Sequence, residues 1–183
     1  MSRLPMIREE DASGKVVETY KDIKRGFQIP FVPNFFKAQA SSPQVLSTTW
    51  QAIKGILVNG EHVPRTIKEM IFVAVADARH CNYCKAANLT FLKNLGVDEE
   101  TRNALINSLD RLVPKRTQDI VKFATKVAID PTNLVDKDYE IVKQHGVSDA
   151  ELMEMIAMAS VATFATIIAD ALKIDIDKDF QEI

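Results

Sequence analysis

Residues 63–84 read Val63-Pro64-Arg65-Thr66-Ile67-Lys68-Glu69-Met70-Ile71-Phe72-Val73-Ala74-Val75-Ala76-Asp77-Ala78-Arg79-His80-Cys81-Asn82-Tyr83-Cys84. Pro64 suits the opening of a helix, where its missing N–H costs nothing. Ile67, Met70, Ile71, Ala74, Val75 and Ala78 then recur at helical spacing, the strongest amphipathic pattern in the chain. The helix is followed at once by a Cys-x-x-Cys. Such a pair usually suggests a strand–helix redox fold. Here the preceding element is a helix, Thr66 to Arg79, so the pair belongs to an all-helical setting.

The rest of the chain agrees with that class. Six glycines and seven prolines in 183 residues leave few breakers, which favours long helices. With 46% hydrophobic and 26% charged residues the chain has ordinary globular composition. Its 23 basic and 25 acidic residues nearly balance, and no Lys/Arg run offers a nucleic-acid face. The longest apolar stretch, Met155 to Ala169, lies between Glu154 and Asp170 and is short for a membrane span. No charged-then-apolar leader is visible, so a cytoplasmic protein is expected. Two cysteines cannot build a disulfide scaffold.

Outward from the central helix, the first ten residues lack periodicity and read as loose. A helix through Val16, Val17, Tyr20 and Ile23 is expected between Ser13 and a stop at Gly26. Phe31, Phe35 and Phe36 form an aromatic knot that reads as core cover. Ser42-Pro43 opens a helix that carries Trp50 and stops at Gly60. Asp98 caps a helix to about Leu109. Others follow over Thr117 to Ile129 and Asp136 to His145. Ser148-x-x-Glu151 is a capping-box pattern opening a helix to Leu172, apolar on nearly every face and so suited to a core or a subunit interface. Met153, Met155 and Met158 on it read as packing. The acidic tail from Lys173 reads as solvated. His62 and His145 read as capping or surface residues.

An offset of 50 relates Val63-Pro64-Arg65 to Val113-Pro114-Lys115, Glu69 to Asp119, and Gly96-Val97 to Gly146-Val147. It predicts a single domain over 1–183 with two copies of a helix–loop–helix unit, about 62–110 and 112–160. Pro131 and Leu134 fall opposite Cys81 and Cys84, so only the first copy can carry thiol chemistry.

Two cysteines three apart at a helix start can form a disulfide with little backbone change, and unpaired N–H groups there lower a thiol pKa. A thiolate that attacks a peroxide oxygen becomes a sulfenic acid, and a second thiol condenses with it to a disulfide. Glu69, beside the apolar stripe, is positioned for partial burial and a raised pKa, which suits a base. Lys68-Glu69 also reads as an ordinary surface pair.

The spacing Glu69-x11-Cys81-x2-Cys84, with Val32-Pro33-Asn34-Phe35-Phe36, Ser42-Pro43 and Pro64-Arg65, resembles the carboxymuconolactone decarboxylase superfamily, in its alkylhydroperoxidase D-like, peroxidase-related branch. The resemblance implies an all-α alkylhydroperoxidase D-like fold with internal duplication and a homo-oligomer, trimer or hexamer. It implies a hydroperoxide substrate, an external dithiol or lipoyl-type reductant, and no organic cofactor. It makes Cys84 the peroxide-attacking thiol, Cys81 the resolving thiol and Glu69 part of a proton relay. The family motif has His four residues after the second Cys, where this chain has Asn88. Asn cannot accept a proton at neutral pH, so the relay lacks its middle member. His80, Tyr83 and Asn88 remain candidates to relay protons or orient substrate. The alternative is an oligomer or thiol sensor that does not turn over peroxide. A zinc site on Cys81, Cys84 and His80 lacks a fourth ligand, and two cysteines serving only as small apolar fillers is the remaining alternative.

Overall fold

The computed structural model describes residues 2–180. Among them are nine α-helices and no strand: α1 Gly14–Phe27, α2 Asn34–Lys37, α3 Pro43–Ile53, α4 Arg65–Ala78, α5 Asn82–Asn94, α6 Glu99–Asn107, α7 Lys115–Ile129, α8 Asp136–Gln144 and α9 Asp149–Leu172. The fold is all-α, as the periodicity predicts.

The apolar stripe of α4 makes it the central helix, packed by α5, α7 and α9. Ile71, Val73, Val75 and Ala76 on it are fully buried. Lys68 and Glu69 are buried as well, which corrects the reading of a surface pair. Lys68 Nζ donates to the Ile56 carbonyl at 2.9 Å and pairs with Glu154 of α9 at 3.0 Å. Glu154 also accepts the backbone N–H groups of Glu61, His62 and Val63. Burial pushes the Glu154 carboxyl up, but these donors and Lys68 outweigh it and hold it at about 2. Lys68 passes so close to Gly60 that a Cβ there would lie 1.8 Å from Nζ.

Positions fifty apart are built alike. α4 and α7 begin at Arg65 and Lys115, and α6 and α9 at Glu99 and Asp149. Gly96 and Gly146 both turn the chain at positive φ, 81° and 74°, which only glycine adopts without strain. Asp98 and Ser148 both cap the next helix with a side-chain oxygen.

Several local expectations are corrected. Gly26 does not stop α1; it lies inside the helix, where a Cβ would meet the Trp50 ring at 2.7 Å, and the chain turns at Gln28. α3 continues into a wider π-helical turn over Lys54–Val58. The N-terminal stretch is tied down: Glu9 accepts from Lys24 and from the Val32 N–H, and Tyr20 donates to the Ile7 carbonyl. The tail is not solvated throughout, since Ile174, Asp177 and Phe180 are buried; residues 181–183 lie outside the described chain. α9 runs past the charges that bracket its apolar centre, so by length and composition alone it is long enough to cross a membrane. In the fold its Met155, Met158 and Ala162 are fully buried against the other helices.

Candidate functional site

α4 and α5 are joined by a tight turn in which His80 takes a left-handed conformation, φ 58°. Cys81 follows as the N-cap residue of α5, and Cys84 lies one turn into the helix. Spacing by three puts both sulfurs on one face. Both thiols are free and buried. The hydrogen bond shared with Cys81 and burial, with the Asp170 carboxylate nearby, push the Cys84 thiol well above its usual range. This reverses the lowering expected at a helix start. The N–H groups are present, but enclosure and a neighbouring acid oppose the thiolate more strongly.

Cys84 opens onto a cavity of about 40 Å³. Its walls are aromatic: Phe27 from α1, Phe35 and Phe36 from α2, Phe72 from α4, Tyr83 and Phe91 from α5, and Phe180 from the tail. Asn88 and Ala165 complete the lining near the thiol, and every lining residue is buried. The Phe35-Phe36 part of the knot read as core cover is thus the wall facing Cys84.

Asn88 Nδ2 donates to the Cys84 carbonyl at 2.7 Å. The amide therefore braces the helix turn beneath the thiol. Glu69 is completely buried. One carboxylate oxygen accepts from Arg65 Nε at 3.3 Å, and the other has no partner. Burial pushes Glu69 up to about 7 against the pull of Arg65. The Arg65 guanidinium also sits 5.9 Å from the centre of the Phe27 ring. Among the described residues Glu69 is linked to the cavity only through Arg65 and the Phe27 ring, and no hydrogen bond joins Glu69 to Asn88 or Cys84.

Tyr83 is committed to architecture. Its hydroxyl donates to Asp177 at 2.8 Å and accepts the Phe35 N–H at 3.0 Å. Asp177 in turn accepts the Asn34 N–H, and burial holds its carboxyl above the ordinary range. His80 is exposed and lies on a separate surface groove with Asp170 and Lys173. It does not line the cavity. The structure therefore brings Cys81, Cys84, Asn88 and Tyr83 together, buries Glu69 off the cavity lining, and leaves His80 outside. Sequence reasoning missed Asp177 and Phe180. Their only signal was one aromatic and alternating apolar residues in an acidic tail. Among the described residues no cluster of three or more His, Cys, Asp or Glu side chains is placed to hold a metal.

No family model matches the chain. Over nearly its whole length, however, it is similar in structure to solved proteins. One is the alkylhydroperoxidase AhpD core, an uncharacterized peroxidase-related protein from Ralstonia eutropha JMP134, with TM-score 0.89, 20% identity, and coverage of 98% of this chain and 94% of that one. Another is an uncharacterized peroxidase-related protein from Silicibacter sp. TM1040, with TM-score 0.85, 17% identity, and coverage of 100% and 98%. A third is a cysteine-to-alanine variant of the debrominase Bmp8 in complex with 2,3,4-tribromopyrrole, with TM-score 0.85, 15% identity, and coverage of 99% and 95%. In sequence, 49 residues are 39% identical to an (R)-2-haloacid dehalogenase of Pseudomonas putida, spanning 27% of this chain and 16% of that protein.

Proposed function

We propose that this chain, which has the alkylhydroperoxidase D-like fold, is a member of the carboxymuconolactone decarboxylase superfamily and works as a thiol-dependent oxidoreductase on hydroperoxides. The observation that carries the reading is Cys84 on the wall of a small aromatic cavity, one helical turn from the free thiol of Cys81 at the start of the same helix. In this reading the Cys84 thiolate attacks the terminal peroxide oxygen. The O–O bond breaks, Cys84 becomes a sulfenic acid, and the alkoxide leaves as an alcohol after taking a proton. The Cys81 thiol then displaces water from the sulfenic acid, forming the disulfide. An external dithiol or lipoyl-type reductant restores both thiols by exchange. Glu69, buried with a free oxygen and a pKa near 7, is the group able to hold the proton taken from the pair. With Asn88 bound to backbone, that proton needs a water to travel through.

The domain is single, with copies over about 62–110 and 112–160. A homo-oligomer, trimer or hexamer, is part of the proposal, supported by Met153, Phe164 and Ile167 exposed on the outer side of α9. A cytoplasmic setting fits two free thiols.

The test is stopped-flow loss of free thiol after adding hydrogen peroxide. Fast loss of both thiols, abolished in Cys84→Ser, is expected. Loss no faster than for free cysteine overturns the peroxidase and leaves an oligomer or thiol sensor.

The aromatic lining favours a second reading, reductive dehalogenation of a flat halogenated ring. One carbon–halogen bond and two thiols would yield carbon–hydrogen, a hydrogen halide and the disulfide. Halide release from a brominated pyrrole, lost in Cys84→Ser, separates this chemistry from peroxide reduction.

A further inference from the structure

The cavity beside Cys84 is small, and every side chain that lines it is buried. Its volume of about 40 Å³ holds a few waters or one hydrogen peroxide molecule, since a single water needs roughly 10–15 Å³ on the same measure. An organic hydroperoxide or a halogenated ring cannot enter unless a wall moves. Most walls belong to packed helices. Phe180 does not. It lies on a three-residue turn, Lys178–Phe180, past the end of α9.

Phe180 faces two spaces at once. Its inner side lines the cavity, against Phe91 at 5.6 Å and Tyr83 at 6.4 Å between ring centres. It also lines a surface groove with Pro30, Phe31, Lys93 and Asp179. One side chain thus separates the groove from the thiol. Its own turn is held by a backbone bond from the Phe180 N–H to the Asp177 carbonyl. Asp177 is latched by the Tyr83 hydroxyl and the Asn34 N–H. Tyr83 also stands between the cavity and a second groove, near His80. Unlike Phe180, it is fixed on a helix and bonded at its hydroxyl on two sides.

We infer that Phe180 is a size gate: the tail segment 174–180 swings with it, and its closed position restricts access to Cys84 to peroxide-sized molecules. Asp177 and Tyr83 form the latch. Phe180 is a specificity-determining residue and takes no part in the chemistry. The inference rests on Cys84 being the thiol that meets substrate, but not on which oxidant it meets.

The experiment compares two thiol reagents on Cys81→Ser protein, so that Cys84 alone reports, with the modified peptide identified by mass spectrometry. The small reagent is hydrogen peroxide and the bulky one is the aromatic disulfide 5,5′-dithiobis(2-nitrobenzoate). In Phe180→Ala the bulky reagent should react at least about tenfold faster, while the peroxide rate moves less than about twofold, because opening is needed for one and not the other. Tyr83→Phe keeps the ring and removes the latch hydroxyl. It should raise the bulky rate by roughly two- to tenfold, the range expected for one lost hydrogen bond. This milder change keeps the test valid if Phe180→Ala does not fold. Equal acceleration of both reagents means general loosening and overturns the gate. So does a larger gain in Tyr83→Phe than in Phe180→Ala, which moves the door to Tyr83. Selective bulky-reagent gain with Cys84 reacting with peroxide no faster than free cysteine would keep the gate and remove the peroxidase reading.

Discussion

Arg65–Glu69 on α4 and Lys115–Asp119 on α7 are i,i+4 ion pairs at positions fifty apart, yet they live in different media. Glu69 is wholly buried, its cation is 22% exposed, and one of its oxygens has no partner. Asp119 accepts from Lys115, which is 64% exposed, and from His145. Burial pushes Asp119 up, but Lys115 and His145 outweigh it and hold it below the ordinary carboxylate range. The first pair therefore keeps a buried carboxyl that titrates near neutrality. The second keeps a fully satisfied anion that ties helices together. One frame carries reactivity where polar groups are left incomplete, and architecture where they are completed.

The comparison breaks most visibly at the residues just before these carboxylates. Lys68 clamps the Ile56 carbonyl and pairs with Glu154, whereas Gln118, fifty residues on, donates to the carbonyls of Asp110 and Leu112. Lys68→Ala should cost about 3–5 kcal/mol, because it strands a partly buried charge. Gln118→Ala should cost about 1–2 kcal/mol, because it strands only neutral acceptors. Urea midpoints measure both. Equal losses would mean the two clamps do the same work.

Glu69 comes next. The native state holds its proton up to about 7, against an ordinary 4.5, so the folded chain binds more protons than the unfolded chain in that window. Stability should fall as pH rises through the window and level off above it. Glu69→Gln should flatten that slope. It should also stabilise the protein at pH 8 by on the order of 3 kcal/mol relative to native, because the buried carboxylate must be charged there and the amide need not be. The same change should slow alkylation of Cys84 near neutral pH. An unchanged slope in urea titrations run from pH 4 to 8 would show that Glu69 does not titrate there.

In the proposed relay Asn88→His would supply the missing proton acceptor, and should raise peroxide turnover at least about tenfold. Asp138→His, fifty residues on, should leave it unchanged. No gain at Asn88 would mean that the wall between Glu69 and the cavity, and not the side chain at that position, blocks the relay.

The smallest effect belongs to Asp119→Asn. Its pairs are partly solvated, so about 1 kcal/mol or less should be lost at pH 7. Because the folded pKa is depressed, that contribution is present above the unfolded value and should vanish as pH falls through the folded one. Thermal melts at neutral and acid pH decide it, and a loss as large as that for Lys68→Ala would erase the contrast between the two pairs.

The sequence shows the helices well, because 3.6-residue periodicity and side-chain caps such as Asp98 and Ser148 are local signals. The Cys-x-x-Cys and the correspondence of Glu69 with Asp119 were legible for the same reason. The cavity was not. Its lining comes from α1, α2, α3 and the turn after it, α4, α5, α9 and the tail, and no local pattern distinguishes a Phe that fills a core from one that faces a thiol. Asp177 looked solvated among Asp175, Lys178 and Asp179. Its burial depends on Tyr83 and Asn34, which are 94 and 143 residues away. The raised pKa of Cys84 was hidden in the same way, since it depends on enclosure and on Asp170 from another helix.

The carboxylate of Glu154 gathers three consecutive backbone N–H groups and an ammonium, an arrangement that elsewhere cradles a phosphate. Here the protein supplies its own anion, so the loop is a socket and Glu154 the plug. A plug fixes rotation as well as position. Ala165 lies eleven residues further along α9, about three turns or ~16 Å, and so on the same side of the helix. Arg79, bonded to Thr166 at 2.8 Å, pins the far end. With both ends keyed, α9 cannot roll, and the side chain that it turns toward Cys84 stays a methyl group rather than the bulk of Phe164 or Ile167.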